Sequence, residues 1–231
     1  MNNFIKIKNI TKKYEKNKTI KVLNDISFNF ESGKTYSIMG PSGSGKSTLI
    51  NLLSLIDKPT LGSIEISSNK IKSNNKVEND LIRARKIGII YQDKNLLSDF
   101  TALENVYLPN LLISKEKQKS IELAKKLIKN FGMSSRINHF PNELSGGENQ
   151  RIAIARALIN NPDIILADEP TGSLDSDNAK LIFKILFNLK NKNRIIIFLA
   201  SSLDLCFSLE ISKLGKYTFS KAVKSDNKFF S

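Results

Sequence analysis

Hydrophobic residues in this chain follow two patterns that favour β-strands: alternation with polar residues and short unbroken runs. The segment from Phe4 to Ile10 alternates apolar and polar residues, which is typical of a half-buried strand. Unbroken apolar runs elsewhere are typical of parallel strands covered on both faces. The strands predicted from these patterns span residues 4–10, 22–30, 35–39, 64–66, 87–91, 163–168 and 194–200.

Other stretches repeat apolar residues at the spacing of an amphipathic helix. Residues 100–160 are predicted to be mostly helical, whereas the polar stretch 68–79 is predicted to be an exposed loop. Strands that alternate with helices in this way are typical of the α/β class. The predicted helices span residues 46–55, 120–131, 148–159 and 178–189.

The composition excludes several classes of protein. A chain of 231 residues with 40% hydrophobic and 25% charged residues fits one large domain or one domain with a subdomain, and it is not typical of a disordered protein. One cysteine, Cys206, excludes a disulfide scaffold, and one histidine, His139, excludes a multi-histidine metal site within the chain. The purest apolar run, Ile195–Ala200, is far shorter than the about 20 residues of a membrane-spanning helix, and the N-terminus lacks the apolar core of a secretory signal.

The net charge of +14 raises the question of an anionic partner. The basic surplus is slightly larger near the N-terminus and is never gathered into a block. Acidic lipid headgroups nearby, a nucleic-acid partner, or no specific partner in a Lys- and Asn-rich chain all stay open. Of these three, a nucleic-acid partner is the one that we do not expect.

A glycine-rich segment between a predicted strand and a predicted helix, residues 40–47, fits the phosphate-binding pattern G-x-x-x-x-G-K-[ST]. Its glycines allow backbone N–H groups to turn toward a phosphate chain, and the helix start adds the positive end of its dipole. Lys46 supplies a charge for the β- and γ-phosphates, and the Ser47 hydroxyl is a ligand for Mg²⁺. The structural alternative is an ordinary turn before a helix. The candidate phosphate-binding residues are Gly40, Pro41, Ser42, Gly43, Ser44, Gly45, Lys46, Ser47 and Thr48.

Two acidic residues, Asp168 and Glu169, end a hydrophobic strand. A carboxylate at this place can hold Mg²⁺ opposite Ser47, and the next one can orient or deprotonate an attacking water. We therefore assign the metal role to Asp168 and the role of catalytic base to Glu169. The alternative is an acidic helix cap, since Pro170 and Thr171 follow.

The segment Leu144-Ser145-Gly146-Gly147-Glu148-Asn149-Gln150-Arg151 resembles the signature of ABC-transporter ATPases, LSGGxxQR. In that family the signature of one subunit closes over ATP held by the phosphate loop of another. The resemblance therefore implies that Ser145, Gly146 and Gly147 contact ATP across a dimer interface. A predicted helix start at these residues is consistent with anion binding.

Other residues follow the order of the same family, and the resemblance covers the chain from residue 4 to about residue 205. It implies that Tyr14 stacks on adenine, that Gln92 contacts Mg²⁺ or water, and that Asp175 lies in the loop that crosses the dimer interface. The alternative to adenine stacking is that Tyr14 is an ordinary aromatic residue at the end of a strand. The alternative to a role at the nucleotide is that Gln92 is a polar loop residue. His139 receives no catalytic role.

Within the family, three stretches resemble the branch that releases lipoproteins or exports macrolides and peptides. These stretches are residues 59–63, 101–109 and 168–175. The cell-division ATPase of the same branch is similar, so an ATP-binding subunit of a non-transporting membrane complex stays open.

The chain departs from the family at one catalytic position. The family has a histidine in a Thr-His-Asp triplet, where this chain has Ala200-Ser201-Ser202. Ser201 therefore takes the place of the H-loop histidine, and a serine hydroxyl reaches a γ-phosphate only through water. Either Glu169 still supports slow hydrolysis, or the chain binds ATP and dimerises but hydrolyses little, as a switch or as the weak partner in a heterodimer.

The resemblance implies a RecA-like P-loop core with an antiparallel β subdomain and an inserted α-helical subdomain. A single ABC ATP-binding domain is predicted over residues 1–231, with the core and β region at about 1–92 and 161–231 and the helical subdomain at about 93–160.

The implied function is that of an ATP-hydrolysing subunit that uses ATP and Mg²⁺ to drive a separately encoded integral-membrane permease, in export or in extraction from the membrane. It would act as a homodimer or heterodimer at the cytoplasmic face of the membrane. A soluble nucleic-acid ATPase is the rival class. DNA-repair relatives insert a long coiled coil between phosphate loop and signature, for which the stretch from Gly45 to Ser145 is too short, and translation-factor relatives carry two ATPase domains. The sequence does not specify the cargo.

Overall fold

The computed structural model describes residues 4–15, 19–72, 74–200 and 218–220. Backbone contacts divide the chain into a first unit, residues 1–83 and 189–231, and a second unit, residues 84–188. In chain order the strands and helices are β1 (Phe4–Glu15), β2 (Thr19–Glu31), β3 (Thr35–Met39), α1 (Lys46–Leu53), β4 (Leu61–Ile66), β5 (Asn69–Lys70), α2 (Lys76–Lys86), β6 (Ile87–Ile90), α3 (Ala102–Ser114), α4 (Lys117–Asn130), α5 (Gly146–Leu158), β7 (Ile164–Asp168), α6 (Ser176–Asn188), β8 (Ile195–Ala200) and β9 (Thr218–Ser220).

The first unit contains an antiparallel sheet with the strand order β2-β1-β4-β5. On β1, Ile5 and Ile7 are buried while Lys6 and Lys8 are exposed, which confirms the predicted alternation. A β-bulge then shifts the register, so that Ile10 is buried although its position in the alternation would expose it. The strand continues beyond the predicted end at Ile10.

The first unit also contains three parallel strands, with β3 between β8 and β9. Every side chain of β8 is buried, as expected for a strand covered on both faces. β3 is nearly as buried and ends at Met39, which is paired with Ala200. The chain therefore leaves the carboxyl end of β3 directly into the glycine-rich loop, the edge at which open α/β sheets bind ligands.

The second unit combines the parallel pair β6 and β7 with helices α3, α4, α5 and α6. Helix α3 begins with a capping box, in which Thr101 and Glu104 satisfy each other's backbone N–H groups. The apolar core between α3, α4 and α5 is formed by Ala102, Val106, Tyr107, Ala124, Ile128, Met133, Leu144, Ile152, Ala155 and Ile159.

A buried amide fixes the segment between β6 and α3. The Asn105 side chain accepts a hydrogen bond from Leu97 N–H (2.8 Å) and donates to the carbonyl oxygens of Leu97 (3.1 Å) and Phe100 (2.9 Å). A buried, fully engaged amide of this kind holds a loop in one conformation because leaving its polar groups unpaired is costly. The loop that carries Gln92 is thus anchored at its far end.

One prediction about the fold is wrong, because the stretch 68–79 is not entirely a loop. It contains β5 and the first turn of α2, where the Asn75 side chain accepts a hydrogen bond from Glu78 N–H (3.2 Å). None of the α2 side chains is buried, so no apolar stripe marked this helix in the sequence. The other predicted strands and helices are confirmed with shifts at their ends, and the extent of the helical subdomain stays a prediction.

Every helix in the described ranges is too short or too polar to cross a lipid bilayer.

Candidate active site

The glycine-rich loop of the first unit forms a tight turn between β3 and α1. Gly43 and Gly45 have φ angles of 79° and 91°, in the left-handed region that favours glycine. A Cβ atom at Gly45 would lie 2.9 Å from Leu23 Cδ2, so a side chain there would clash. Gly45 also begins α1 without a side-chain cap, and the N–H groups of the first helical turn remain available to an acceptor.

Lys46 is buried, with 6% of its surface exposed, although it carries a charge. Its ammonium group donates hydrogen bonds to the carbonyl oxygens of Gly40 (2.7 Å) and Pro41 (3.1 Å). The positive charge is therefore held inside the loop, beside the N–H groups that begin α1. Ser47, the next residue, is exposed, and Thr48 is half-buried.

Tyr14 is held in place by a cluster of charged groups in the first unit. Its hydroxyl donates to Asp57 Oδ2 (2.9 Å), and Lys12 Nζ lies 4.7 Å from the centre of its ring, in a cation–π contact. Lys12 Nζ also donates to Asp57 Oδ1 (2.7 Å). Thr48 lies close enough to the Tyr14 hydroxyl to affect its pKa, which associates Tyr14 with the start of α1.

The pKa values in this cluster follow from its contacts. Burial raises the pKa of Tyr14, and the neighbouring Asp57 carboxylate raises it further. Burial alone would raise the pKa of Asp57, but hydrogen bonds from Lys12, the backbone N–H of Lys58 and Tyr14 outweigh it and lower the pKa. At neutral pH the cluster thus contains an ionised Asp57 carboxylate that accepts hydrogen bonds from the neutral Tyr14 hydroxyl and from Lys12.

In the second unit, the acidic residues end β7 and begin a turn. Asp168 and Glu169 are both half-buried. Glu169 has a φ angle of 42°, a conformation that costs a non-glycine residue about 1 kcal/mol. A Cβ atom at Gly172 would lie 3.3 Å from Gln92 Nε2 and 3.6 Å from Glu169 Oε2, so the two side chains lie beside the same glycine.

The signature segment begins α5 with a reciprocal cap. The Ser145 hydroxyl oxygen accepts a hydrogen bond from Glu148 N–H (3.2 Å), and Glu148 Oε2 accepts one from Ser145 N–H (2.8 Å). Ser145 and Gly146 are exposed, whereas Gly147 is buried.

Asp175, in the loop after Glu169, holds the Asn178 side chain that lies beside Gly147 of the signature. It caps α6, because its carboxylate accepts hydrogen bonds from the backbone N–H groups of Asp177 (3.1 Å) and Asn178 (3.0 Å). These bonds, chiefly the one from Asn178, lower the pKa of Asp175. The Asn178 side chain donates to Asp175 (2.7 Å), and its amide oxygen would lie 2.5 Å from a Cβ atom at Gly147, so a larger residue at that signature position would displace Asn178 from Asp175.

Comparison with known proteins decides the family. The profile described as "ABC transporter" matches residues 23–172, which include the glycine-rich loop, the signature and both acidic residues at the end of β7. The chain belongs to the ABC transporter family. It is an ATP-binding, ATP-hydrolysing subunit of that family, as predicted.

Curated relatives of this ABC ATPase carry one recurring name. The lipoprotein-releasing system ATP-binding protein LolD of Rickettsia bellii is 42% identical over 90% of this chain and 93% of its own. LolD of Wigglesworthia glossinidia brevipalpis is 43% identical over 94% and 99%. An uncharacterised ABC transporter ATP-binding protein of Methanocaldococcus jannaschii is 44% identical over 91% and 95%. The predicted resemblance to the lipoprotein-release branch is therefore confirmed.

Solved structures confirm the fold class. The ATP-binding cassette MJ0796, in a dimeric post-hydrolysis state bound to ADP and Pi, matches with a TM-score of 0.82 and 38% identity over 97% of this chain and 98% of its own. A second dimeric structure of MJ0796 matches with a TM-score of 0.80. The predicted second ATP-binding subunit agrees with these dimers.

Sequence reasoning missed several residues that organise this ABC ATPase site. Arg156, near the end of α5, donates to the carbonyl oxygens of Lys94 (2.8 Å) and Asn95 (2.6 Å), and thereby ties the loop that carries Gln92 to the signature helix. Lys94 Nζ in turn lies 2.5 Å from Ser173 Oγ. These contacts join residues at least 61 positions apart, so no local pattern indicated them.

Ser201, the residue at the position of the H-loop histidine, lies outside the described residues.

Proposed function

We propose that this ABC ATPase is the ATP-binding subunit of a system that releases lipoproteins from a membrane. It would act at the cytoplasmic face, with a separate integral-membrane permease. The observation that carries this proposal is that relatives named lipoprotein-releasing system ATP-binding proteins align with about nine-tenths of the chain at 42–43% identity. An ATP-binding subunit of a cell-division type complex remains the alternative function.

In this proposal the first unit binds the nucleotide. Residues 40–48 surround its phosphates with backbone N–H groups, and the buried ammonium of Lys46 turns from the carbonyls of Gly40 and Pro41 to the phosphate oxygens. The ring of Tyr14, which Asp57 and Lys12 hold in one orientation, stacks on the adenine.

A Mg²⁺ ion would take its ligands from Ser47, Gln92 and Asp168. A hydroxyl, an amide oxygen and a carboxylate are the hard oxygen donors that Mg²⁺ prefers, and they fit its habit of binding one or two carboxylates together with substrate phosphates. When bound, Mg²⁺ neutralises charge on the phosphate oxygens.

Glu169 is the proposed catalytic base. It orients and deprotonates the attacking water, and its position beside Gly172 and Gln92 supports this role because the amide of Gln92 can hold the same water. The contacts from Arg156 to Lys94 and Asn95 support a second role for the Gln92 loop, since they connect that loop with the signature helix.

Ser145, Gly146 and Gly147 of a second copy complete the site in this proposal. The Ser145 hydroxyl and the backbone N–H groups of Gly146 and Gly147, at the start of α5, bind the γ-phosphate across the interface, and Asp175 lies in the crossing loop. ATP binding then closes the dimer, and hydrolysis with product release reopens it. The permease uses that motion.

The proposed function predicts a membrane partner and an ATP-dependent release. The tagged chain, purified from detergent-solubilised membranes of its own cells, is expected to bring with it an integral-membrane protein and no RNA or DNA. Proteoliposomes of the complex loaded with a lipid-modified protein are expected to release it only with ATP. Co-purification of nucleic acid, or a stable membrane complex that releases no lipoprotein, would contradict the proposal, and the second result would favour the cell-division type.

Ser201 is proposed to limit hydrolysis without affecting ATP binding. Replacing Ser201 with His is expected to raise kcat about tenfold or more, because a positioned imidazole contacts the γ-phosphate directly, while the Kd for ATP stays unchanged. Steady-state phosphate release and equilibrium ATP binding measure the two effects. The control is Ser202→His, which adds the same ring one position later. Equal turnover in the parent chain and in Ser201→His would mean that the serine is tolerated.

A further inference from the structure

The signature segment is connected to a residue that no motif includes. We propose that Arg136 is a positioning residue: acting through Glu148, it holds the start of α5 in the form in which Ser145 binds the nucleotide of a second copy. This inference rests on the proposed function of the signature and adds a residue to it.

Each oxygen of the Glu148 carboxylate accepts a hydrogen bond from a different residue. Oε2 accepts the hydrogen bond from Ser145 N–H (2.8 Å), and Oε1 accepts one from Arg136 Nε (3.0 Å). The Ser145 oxygen in turn accepts Glu148 N–H (3.2 Å). A hydroxyl has one proton to donate, and within the part of the chain that the structure describes no acceptor takes that of Ser145. The cap therefore fixes Ser145 and leaves its proton for an incoming ligand.

The charge of Glu148 explains why an arginine is needed. A carboxylate in the first turn of α5 stabilises the isolated helix, but it opposes a polyphosphate that approaches the same helix start. The Ser145 N–H and then Arg136 lower the pKa of Glu148, so the carboxylate stays ionised at neutral pH. Arg136 neutralises this charge and holds the carboxylate on the backbone of Ser145, away from the ligand.

Arg136 is itself fixed to another element of the second unit. It ends a 3₁₀ turn, Ser134–Arg136, and the residues that follow bind the first turn of α3. There Leu103 N–H donates to Ile137 O (2.9 Å), and Ala102 N–H donates to His139 O (2.8 Å). The pair of Arg136 and Glu148 thus connects the start of α3, which follows the Gln92 loop, with the signature. A movement of α3 would therefore shift Arg136 and Glu148, and with them Ser145.

The test compares ATP-dependent dimerisation with ATP binding by one subunit. The parent is the full chain carrying Glu169→Gln, which is expected to block hydrolysis, and sedimentation velocity with ATP gives its dimer dissociation constant. Arg136→Gln is expected to raise that constant about tenfold, because a charge-assisted bond is lost next to a polyphosphate. The Kd of the dilute chain for a fluorescent ATP analogue should stay within about twofold, since the loop at residues 40–48 is unchanged. The melting temperature should change by no more than about 3 °C, as expected for a partly exposed pair.

Three further variants make the result specific to this pair. Glu148→Gln removes the charge but keeps a side-chain oxygen for the cap, so adding it to Arg136→Gln should restore dimerisation to within about threefold of the parent. Arg136→Lys keeps the charge and should recover part of the defect. Lys119→Gln, which breaks the exposed pair with Glu116 in the same unit, is the matched control and should change nothing.

The outcomes separate this proposal from the function on which it rests. If Ser145→Ala weakens the dimer but Arg136→Gln does not, the signature role stands and the positioning role is overturned. A large fall in melting temperature for Arg136→Gln, without rescue by Glu148→Gln, would make Arg136 a structural residue and also overturn it. If neither Ser145→Ala nor Arg136→Gln affects dimerisation, the proposed contact across the interface fails.

Discussion

Replacing Lys46 with Met is expected to weaken ATP binding about 100-fold, a loss of about 3 kcal/mol. Methionine keeps the length and apolar character of the stem but removes the ammonium group. That group is held inside the loop by the carbonyl oxygens of Gly40 and Pro41, where the phosphates are proposed to bind. Equilibrium binding of a fluorescent ATP analogue measures the loss.

The matched control is Lys8→Met, which removes the same charge from an exposed position of β1 in the same unit. It changes the net charge equally, so a general weakening of anion binding would appear in both variants. Thermal unfolding of both proteins separates lost binding from lost folding. If Lys46→Met binds ATP within about threefold of the parent while it remains folded, the phosphate role of the loop is wrong.

The parts of the site that could be predicted from the sequence are those that depend on neighbours along the chain. The strand Thr35–Met39 has the predicted bounds, and the helix after it begins at Lys46 as predicted. Both follow from a short apolar run, a loop of glycines and the conformations that glycine allows. The cap of α5 has the same local origin, because a serine three residues before a glutamate forms a capping box.

The parts that could not be predicted depend on residues that folding brings together. Lys12 and Asp57, 45 residues apart, support Tyr14, although neither belongs to a motif. Arg156 binds the backbone of Lys94 and Asn95, which carry no side-chain signal for that contact. Helix α2 could not be predicted for a different reason. The main sequence signal for a helix is the periodic spacing of apolar residues, and α2 lacks that signal because none of its side chains is buried. Residue patterns thus predict which groups do chemistry, and tertiary contacts decide how those groups are held.

Replacing Glu169 with Gln is expected to reduce kcat about 10²- to 10⁴-fold, the usual contribution of a positioned general base. Glutamine has nearly the shape of glutamate, so it can keep the backbone conformation at φ 42° and the contact region beside Gly172. It can still hold a water by hydrogen bonding, but it cannot accept the proton. ATP affinity should therefore stay within about threefold of the parent, because binding depends on the loop of the first unit.

Since ATP then persists in the closed site, Glu169→Gln should accumulate as an ATP-bound dimer, which size-exclusion chromatography with and without ATP detects. Glu122→Gln makes the same change on the exposed face of α4 and should leave both turnover and oligomeric state unchanged. Turnover above about one-tenth of the parent in Glu169→Gln would exclude Glu169 as the base. If instead the parent chain shows no turnover above the background of the assay, the limiting step lies at Ser201, and the Glu169→Gln change must then be tested in the Ser201→His chain.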